Sequence, residues 1–191
     1  MSKEVLLNLI CGDNEECREE LLNIPKELNS FLGSSQLTPS LKSFTPPLLK
    51  QVENLGDYEA LVGDQSLGQL IVARKLASMY GGSFRGWSED YCPICGRRPQ
   101  LFLVRKVNSA FFEGKERVAR CVCGFTWRYK WWRCPNCGVE GRENFDVFIN
   151  EKLEGIFFNK CRRCGFVHVE AYGEVDEVAQ YALRILANHV A

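Results

Sequence analysis

Cys134-Pro135-Asn136-Cys137-Gly138 and Cys161-Arg162-Arg163-Cys164-Gly165 lie 23 residues apart, counted between the inner cysteines, and these two stretches decide the fold. Two cysteines with two residues between them place both sulfurs on one ion when the intervening loop turns tightly. Pro135 stiffens such a loop, and the glycine after the second cysteine accepts the positive φ that closes it. Backbone N–H groups then point at the sulfurs and stabilise the thiolates. Two such knuckles, brought together by a β-hairpin, make a tetrahedral four-cysteine site with no open ligand position. Glu154-Gly155, between the two stretches, carries the turn signal that the hairpin needs.

The unit occurs twice. Cys92-Pro93-Ile94-Cys95-Gly96 repeats the first knuckle 42 positions earlier and is followed by Cys121-Val122-Cys123-Gly124, a pair one residue shorter than the others. Two copies of one supersecondary unit is the economical explanation. The expected metal ligands are Cys92, Cys95, Cys121 and Cys123 at one site, and Cys134, Cys137, Cys161 and Cys164 at the other. Tetrahedral sulfur suits two zinc or iron ions alike. A closed site offers no water position for hydrolysis.

Outward from the cysteines, residues 84–172 read as β structure. Phe125, Trp127, Tyr129 and Trp131 alternate with Thr126, Arg128 and Lys130, the period of a strand, and 166–172 is similar. Glu113-Gly114-Lys115 reads as a hairpin turn of the first unit. Residues 1–83 read as helical. Asp13 is placed to cap a helix whose first turn holds Glu15 and Glu16, Pro25 is expected to interrupt it, and Gly33-Ser34-Ser35 to end the helical stretch beyond that proline. A turn-rich stretch, 34–47, precedes a further helix over 66–80, with Leu67, Leu70, Ile71, Ala77 and Met79 on its apolar face and Gly81-Gly82 as its stop. A last helix over 174–190 starts on Glu174, Asp176 and Glu177 and carries a stripe of Val175, Val178, Ala179, Ala182, Leu186 and Val190. The fold class is therefore α+β: a helical part, 1–83, then two tandem rubredoxin-like or zinc-ribbon units, 90–132 and 133–172, and a C-terminal helix inside a second part, 84–191.

Composition narrows the function. The chain has 191 residues, 46% hydrophobic and 12% aromatic, enough for a core. Lysine plus arginine and aspartate plus glutamate number 24 each, so net charge points to neither nucleic acid nor membrane. No run of about 18 apolar residues marks a membrane span, and the short apolar run 5–10 makes a poor secretory signal. The cytoplasm is the expected compartment, where thiols stay reduced and ten cysteines speak for metal rather than disulfides. Cys11 and Cys17 lack ligand spacing and read as small unpaired thiols. His168 and His189 read as packed or surface histidines. Trp127, Trp131 and Trp132 suit a hairpin core or an interface better than base stacking. Residues 85–172 hold 16 basic and 10 acidic side chains, and two metal–thiolate sites reduce that excess to a modest one. No phosphate loop, HExxH or nucleophile–base pair is present, so no catalytic residue is named.

The order of these motifs resembles the formate dehydrogenase accessory protein family (FdhE). The resemblance rests on Cys92, Cys95 and Pro99, then Arg120 leading into Cys121 and Cys123, Trp127, Cys134 and Cys137, Cys161 and Cys164, and the acidic start at Glu174, Asp176 and Glu177. It covers residues 90–190. The family has CxxC where this chain has Cys121-Val122-Cys123, and the helical part here is shorter. The resemblance implies a cytoplasmic protein, not an enzyme, that binds the catalytic subunit of a formate dehydrogenase, or of a related molybdenum or tungsten oxidoreductase, and assists its maturation. It also implies iron as a candidate ion. A nucleic-acid-binding zinc ribbon and a rubredoxin-like electron carrier are the alternatives.

Overall fold

The computed structural model describes residues 3–34, 37–109 and 112–189; Ser35 and Val190, singled out above, lie outside them. Each cysteine repeat folds as three strands. β1 (Leu101–Ser109), β2 (Phe112–Arg120) and β3 (Thr126–Arg128) follow the first knuckle, and β4 (Phe145–Ile149), β5 (Ile156–Cys161) and β6 (Val167–Tyr172) follow the second. All six join one sheet in the order β3-β2-β1-β6-β5-β4. Within each unit neighbours are antiparallel. The units meet where β1 runs parallel to β6, with Leu101 opposite Val169 and Val104 opposite Tyr172. The third strand of the second unit therefore docks on the first strand of the first, leaving β3 and β4 as sheet edges.

Strand alternation sorts the side chains onto two faces. Leu101, Leu103, Ile156, Phe158, Val167, Val169 and Ala171 pack with Leu6, Ala179, Ala182, Leu183 and Ala187, so α1 (Lys3–Cys11) and α5 (Glu177–His189) cover one face. The other face carries Phe102 and Ala119. These enter a second core with Trp127, Tyr129 and the first knuckle, closed by residues of α2 (Glu15–Ser34), α3 (Leu55–Val62) and α4 (Gln65–Tyr80) such as Leu28, Tyr58, Ile71 and Leu76. Gly68 lets α3 and α4 cross closely: a Cβ there would lie 2.9 Å from the Glu59 Cα. A single 3₁₀ turn, Leu48–Gln51, grips the first knuckle, with the amides of Leu48 and Leu49 donating to the carbonyls of Pro93 and Ile94 at 3.0 and 2.8 Å.

Several local expectations are corrected. Asn14, not Asp13, caps α2, accepting from the Cys17 amide at 3.0 Å. α2 continues through Pro25, which removes one backbone donor; Leu21 and Leu28, buried on either side of it, hold both halves against the core. α4 buries Gly68, Ile71, Val72, Ala73 and Leu76, while Met79 is exposed, so its inner stripe is rotated from the expected one. Glu113-Gly114-Lys115 lies inside β2, because Ser109 pairs with Phe112. Phe125, Trp127 and Tyr129 are all buried, but the strand ends at Arg128 and Trp131 and Trp132 occupy a turn. Asp176 caps α5 through the Ala179 amide at 2.8 Å, which sets the acidic start just before the helix. Cys11 and Cys17 are not separate thiols but a disulfide: the turn from α1 into α2 sets their Cα atoms 5.6 Å apart, inside the bonding range.

Candidate metal centres

Three of the four knuckles close identically. The amide of the first cysteine donates to the carbonyl five residues on, and the glycine amide donates back to the first cysteine. The pairs are Cys92–Arg97 with Gly96–Cys92, Cys134–Val139 with Gly138–Cys134, and Cys161–Phe166 with Gly165–Cys161, all at 2.8–2.9 Å. Gly96, Gly138 and Gly165 stand at φ between 72 and 77°, where a Cβ is penalised. The short knuckle keeps both bonds with one residue fewer: Cys121 donates to Phe125 at 2.9 Å, Gly124 donates to Cys121 at 3.0 Å, and Gly124 opens to φ 91°. The missing residue is absorbed with both closing bonds kept.

The knuckles meet in pairs. Cys92, Cys95, Cys121 and Cys123 form one group and Cys134, Cys137, Cys161 and Cys164 the other, with the sulfurs of each group all within 4.8 Å of one another. Cys92 and Cys123 sulfurs are 3.6 Å apart, Cys95 and Cys121 3.3 Å, Cys134 and Cys164 3.6 Å, and Cys137 and Cys161 3.7 Å. A tetrahedron of sulfurs with metal–sulfur bonds of about 2.3 Å has edges of about 3.8 Å, so both groups can hold a zinc-sized or iron-sized ion. Their electrostatics agree. Burial pushes the Cys92 and Cys134 thiols up, while the neighbouring sulfurs, Cys123 first, hold Cys121 well down. One proton leaves such a group easily and the rest only when a cation offsets the charge.

The two groups differ in their surroundings. The first lies in the core shared by helices and sheet, with Cys92, Cys121 and Cys123 buried. The second has a thinner cover of Trp132, Val139, Phe145 and Phe166, and Cys164 is exposed. Burial raises the Cys164 thiol, but hydrogen bonds from the Phe166 amide, Asn136 and the adjacent sulfurs outweigh it and bring it down to about 7. Trp132 adopts φ 49°, a costly conformation for a bulky side chain, which turns the chain from the first unit into the second. Its ring packs 6.1 Å from Phe145.

Residues without a motif bind the two units together. Arg117 on β2 is buried and reaches across β1, its guanidinium 3.6 Å over the Phe102 ring. It donates to Glu170 on β6 at 2.6 Å, to the Lys130 carbonyl at 2.8 Å and to His168 Nε2 at 2.9 Å. Because arginine can only donate, His168 is a neutral acceptor at that nitrogen, and burial and Arg117 both hold it well below the usual histidine range. Asp90 receives a bidentate contact from Arg133 at 2.8 and 2.7 Å and the Tyr129 hydroxyl at 2.5 Å, tying the approach to one knuckle to the approach to the other. Only alternation and charge mark these residues in the sequence, and neither names their partners. Arg128, Lys130, Arg133 and Arg162 each meet a carboxylate. His189 is exposed at the end of α5.

No family model matches the chain. Over 79 residues it is 34% identical to a protein described as "Protein FdhE homolog" from Aquifex aeolicus (strain VF5). Over those residues the chain is similar to an FdhE homolog. That match takes in 41% of this chain and 27% of the relative, so the aligned part is about a quarter of the relative's length. The crystal structure of the FdhE protein from Pseudomonas aeruginosa superposes on 98% of this chain and 90% of its own, with a TM-score of 0.51 and 15% identity. At that identity the similarity shows a common fold, which in this chain consists of N-terminal helices, a mixed sheet bearing two four-cysteine groups, and a closing helix.

Proposed function

We propose that this FdhE-like chain is an accessory factor that binds the catalytic subunit of a formate dehydrogenase, or of a related molybdenum or tungsten oxidoreductase, and assists its maturation in the cytoplasm. Cys92, Cys95, Cys121 and Cys123 hold one zinc or iron ion, and Cys134, Cys137, Cys161 and Cys164 a second. The observation that carries the reading is the 34% identity to an FdhE homolog, joined to two four-cysteine groups on an FdhE-like fold. In this reading the helical part, 1–83, supports the first centre, and the part 84–191 carries both ions. Four cysteines leave a bound ion no water position, which supports a binding role over an enzymatic one. Among the described residues no helix is long and apolar enough to cross a membrane.

The test is affinity capture from a native lysate with the metal-loaded chain, and identification of the retained proteins. Enrichment of a formate dehydrogenase catalytic subunit or a related oxidoreductase is expected; capture of none overturns the reading. A second reading, rubredoxin-like electron transfer, draws support from the exposed Cys164. It requires iron that cycles reversibly, and protein that holds only zinc removes it, since zinc has no redox chemistry.

A further inference from the structure

Behind the first cysteine group lies a cavity of about 140 Å³ whose wall includes Arg97, Arg98, Arg120 and Arg184, together with Cys121 and Val122. The arginines come from three places: the tail of the first knuckle, the end of β2, and α5. We infer that this cavity binds a small oxyanion, phosphate or sulfate in size and charge.

The argument rests on how the four guanidiniums are held. Arg184 donates to the carbonyls of Gln180 and Arg120 at 3.0 and 2.9 Å. Arg120 donates through Nε to the Gln180 amide oxygen at 3.2 Å. Arg98 donates to the Pro135 carbonyl at 2.5 Å. The Arg97 side chain is exposed and makes no hydrogen bond or ion pair among the described residues. Neutral oxygens therefore position three of the cations, and none of the four meets a carboxylate. Glu177, whose charge reaches Arg120, is already ion-paired with Arg74, and Asp90, whose charge reaches Arg98, is already ion-paired with Arg133. Elsewhere in the sheet Arg117, Arg128, Arg133 and Arg162 each have a carboxylate partner. Like charges gathered around a shared pocket repel one another unless an anion enters, and planar guanidiniums match oxyanion geometry by forked hydrogen bonds. The cavity volume admits one tetrahedral ion and not a nucleotide, so a larger ligand can place only its phosphoryl group there.

The competing role for these arginines is to offset the charge of the adjacent metal–thiolate group. The two roles separate experimentally, and neither depends on the client enzyme proposed above. Calorimetric titration of the metal-loaded full chain with inorganic phosphate, then sulfate, at ionic strength held constant with chloride, is expected to show one saturable site of sub-millimolar Kd. Arg97→Gln, at an exposed position that leaves the fold intact, is expected to raise that Kd roughly tenfold, the loss of one charge-assisted contact, with metal content unchanged. Arg120→Gln is expected to do the same from the inner wall. Adenosine monophosphate binding as well as phosphate supports a phosphoryl group of a larger ligand as the occupant; binding of inorganic ions alone supports a free ion. Absence of saturable binding, or a Kd unmoved by Arg97→Gln, overturns the inference, as does loss of metal from Arg97→Gln without any anion binding.

Discussion

Glu170→Gln is expected to destabilise the protein by about 3 kcal/mol, at the lower end of the cost of breaking a buried ion pair from one side. Arg117 has a side chain that water does not reach, and Glu170 is only 7% exposed. Their 2.6 Å contact places the only formal counter-charge among the partners that Arg117 touches, the others being the neutral Lys130 carbonyl, His168 and two aromatic rings. The glutamine keeps the shape and an acceptor oxygen but leaves a cation in the core with dipoles alone. Arg117→Met is expected to cost a similar amount by stranding Glu170. The double variant Arg117→Met/Glu170→Gln strands no charge, and removing the charge from both ends of a buried pair costs far less than removing it from one. It should therefore be more stable than either single variant, costing less than about 3 kcal/mol where additive losses would reach about 6, a coupling energy of about 3 kcal/mol or more. The assay is urea unfolding of all four proteins at equal metal loading, with melting expected to fall by about 6–12 °C in the single variants. Additive losses, or single variants within about 1 kcal/mol of the parent, would refute the claim that this pair clamps β2 to β6 across β1.

Cys164→Ser is expected to lower metal content from two ions per chain to one while the first centre and the helical core stay folded; Cys92→Ser, buried in the shared core, is expected to cost the fold as well as the ion. Elemental analysis with circular dichroism reads both. A chelator added slowly is expected to withdraw the second ion first, because Cys164 is exposed, and mass-spectrometric mapping of thiol alkylation along that time course should find Cys164 modified before Cys92 or Cys123. Cys11→Ser/Cys17→Ser is expected to lower unfolding stability by about 2 kcal/mol, the loop-closure entropy of so short a ring, as measured by denaturant titration. Ile149→Lys, at a position 67% exposed on the edge strand β4, is expected to leave the melting temperature unchanged in a thermal scan, since an exposed side chain takes little part in the core.

The features legible in the sequence are those that repeat at fixed spacing. Four knuckles can be read because each is a closed local loop whose cysteines and glycine, joined by a proline in two of them, have separate physical tasks, and the 42-residue shift shows that the same strands follow each repeat. The partnering of β1 with β6 cannot be read this way: Leu101 and Val169 belong to different units, and alternation says only that each has an inner face. Pro25 misleads because a local penalty is outweighed by Leu21 and Leu28, whose packing partners are far away in sequence. Cys11 and Cys17 mislead because their pairing depends on the angle of a turn. Glu113-Gly114-Lys115 carries a turn composition in a place where a nine-residue ladder extends past it.

The knuckle one residue short is the one with the most support around it. Its two closing bonds survive, its glycine opens to φ 91°, and its sulfurs approach Cys92 and Cys95 from within the core rather than from solvent. The 3₁₀ turn Leu48–Gln51 braces the opposite knuckle through two backbone bonds, and a Cβ on Gly96 would press on Pro47 at 3.1 Å. A shortened chelate loop pays in conformational freedom, and a packed core is what can hold it in the required shape. The second group has regular spacing on both sides and only a thin apolar cover, which is the arrangement expected if local loop geometry alone has to assemble the ligands. Chemically similar four-cysteine groups in one sheet thus differ in what holds them: the first is fixed by tertiary packing between the helices and the ribbons, and the second, with Cys164 exposed, is fixed mainly by its own loops.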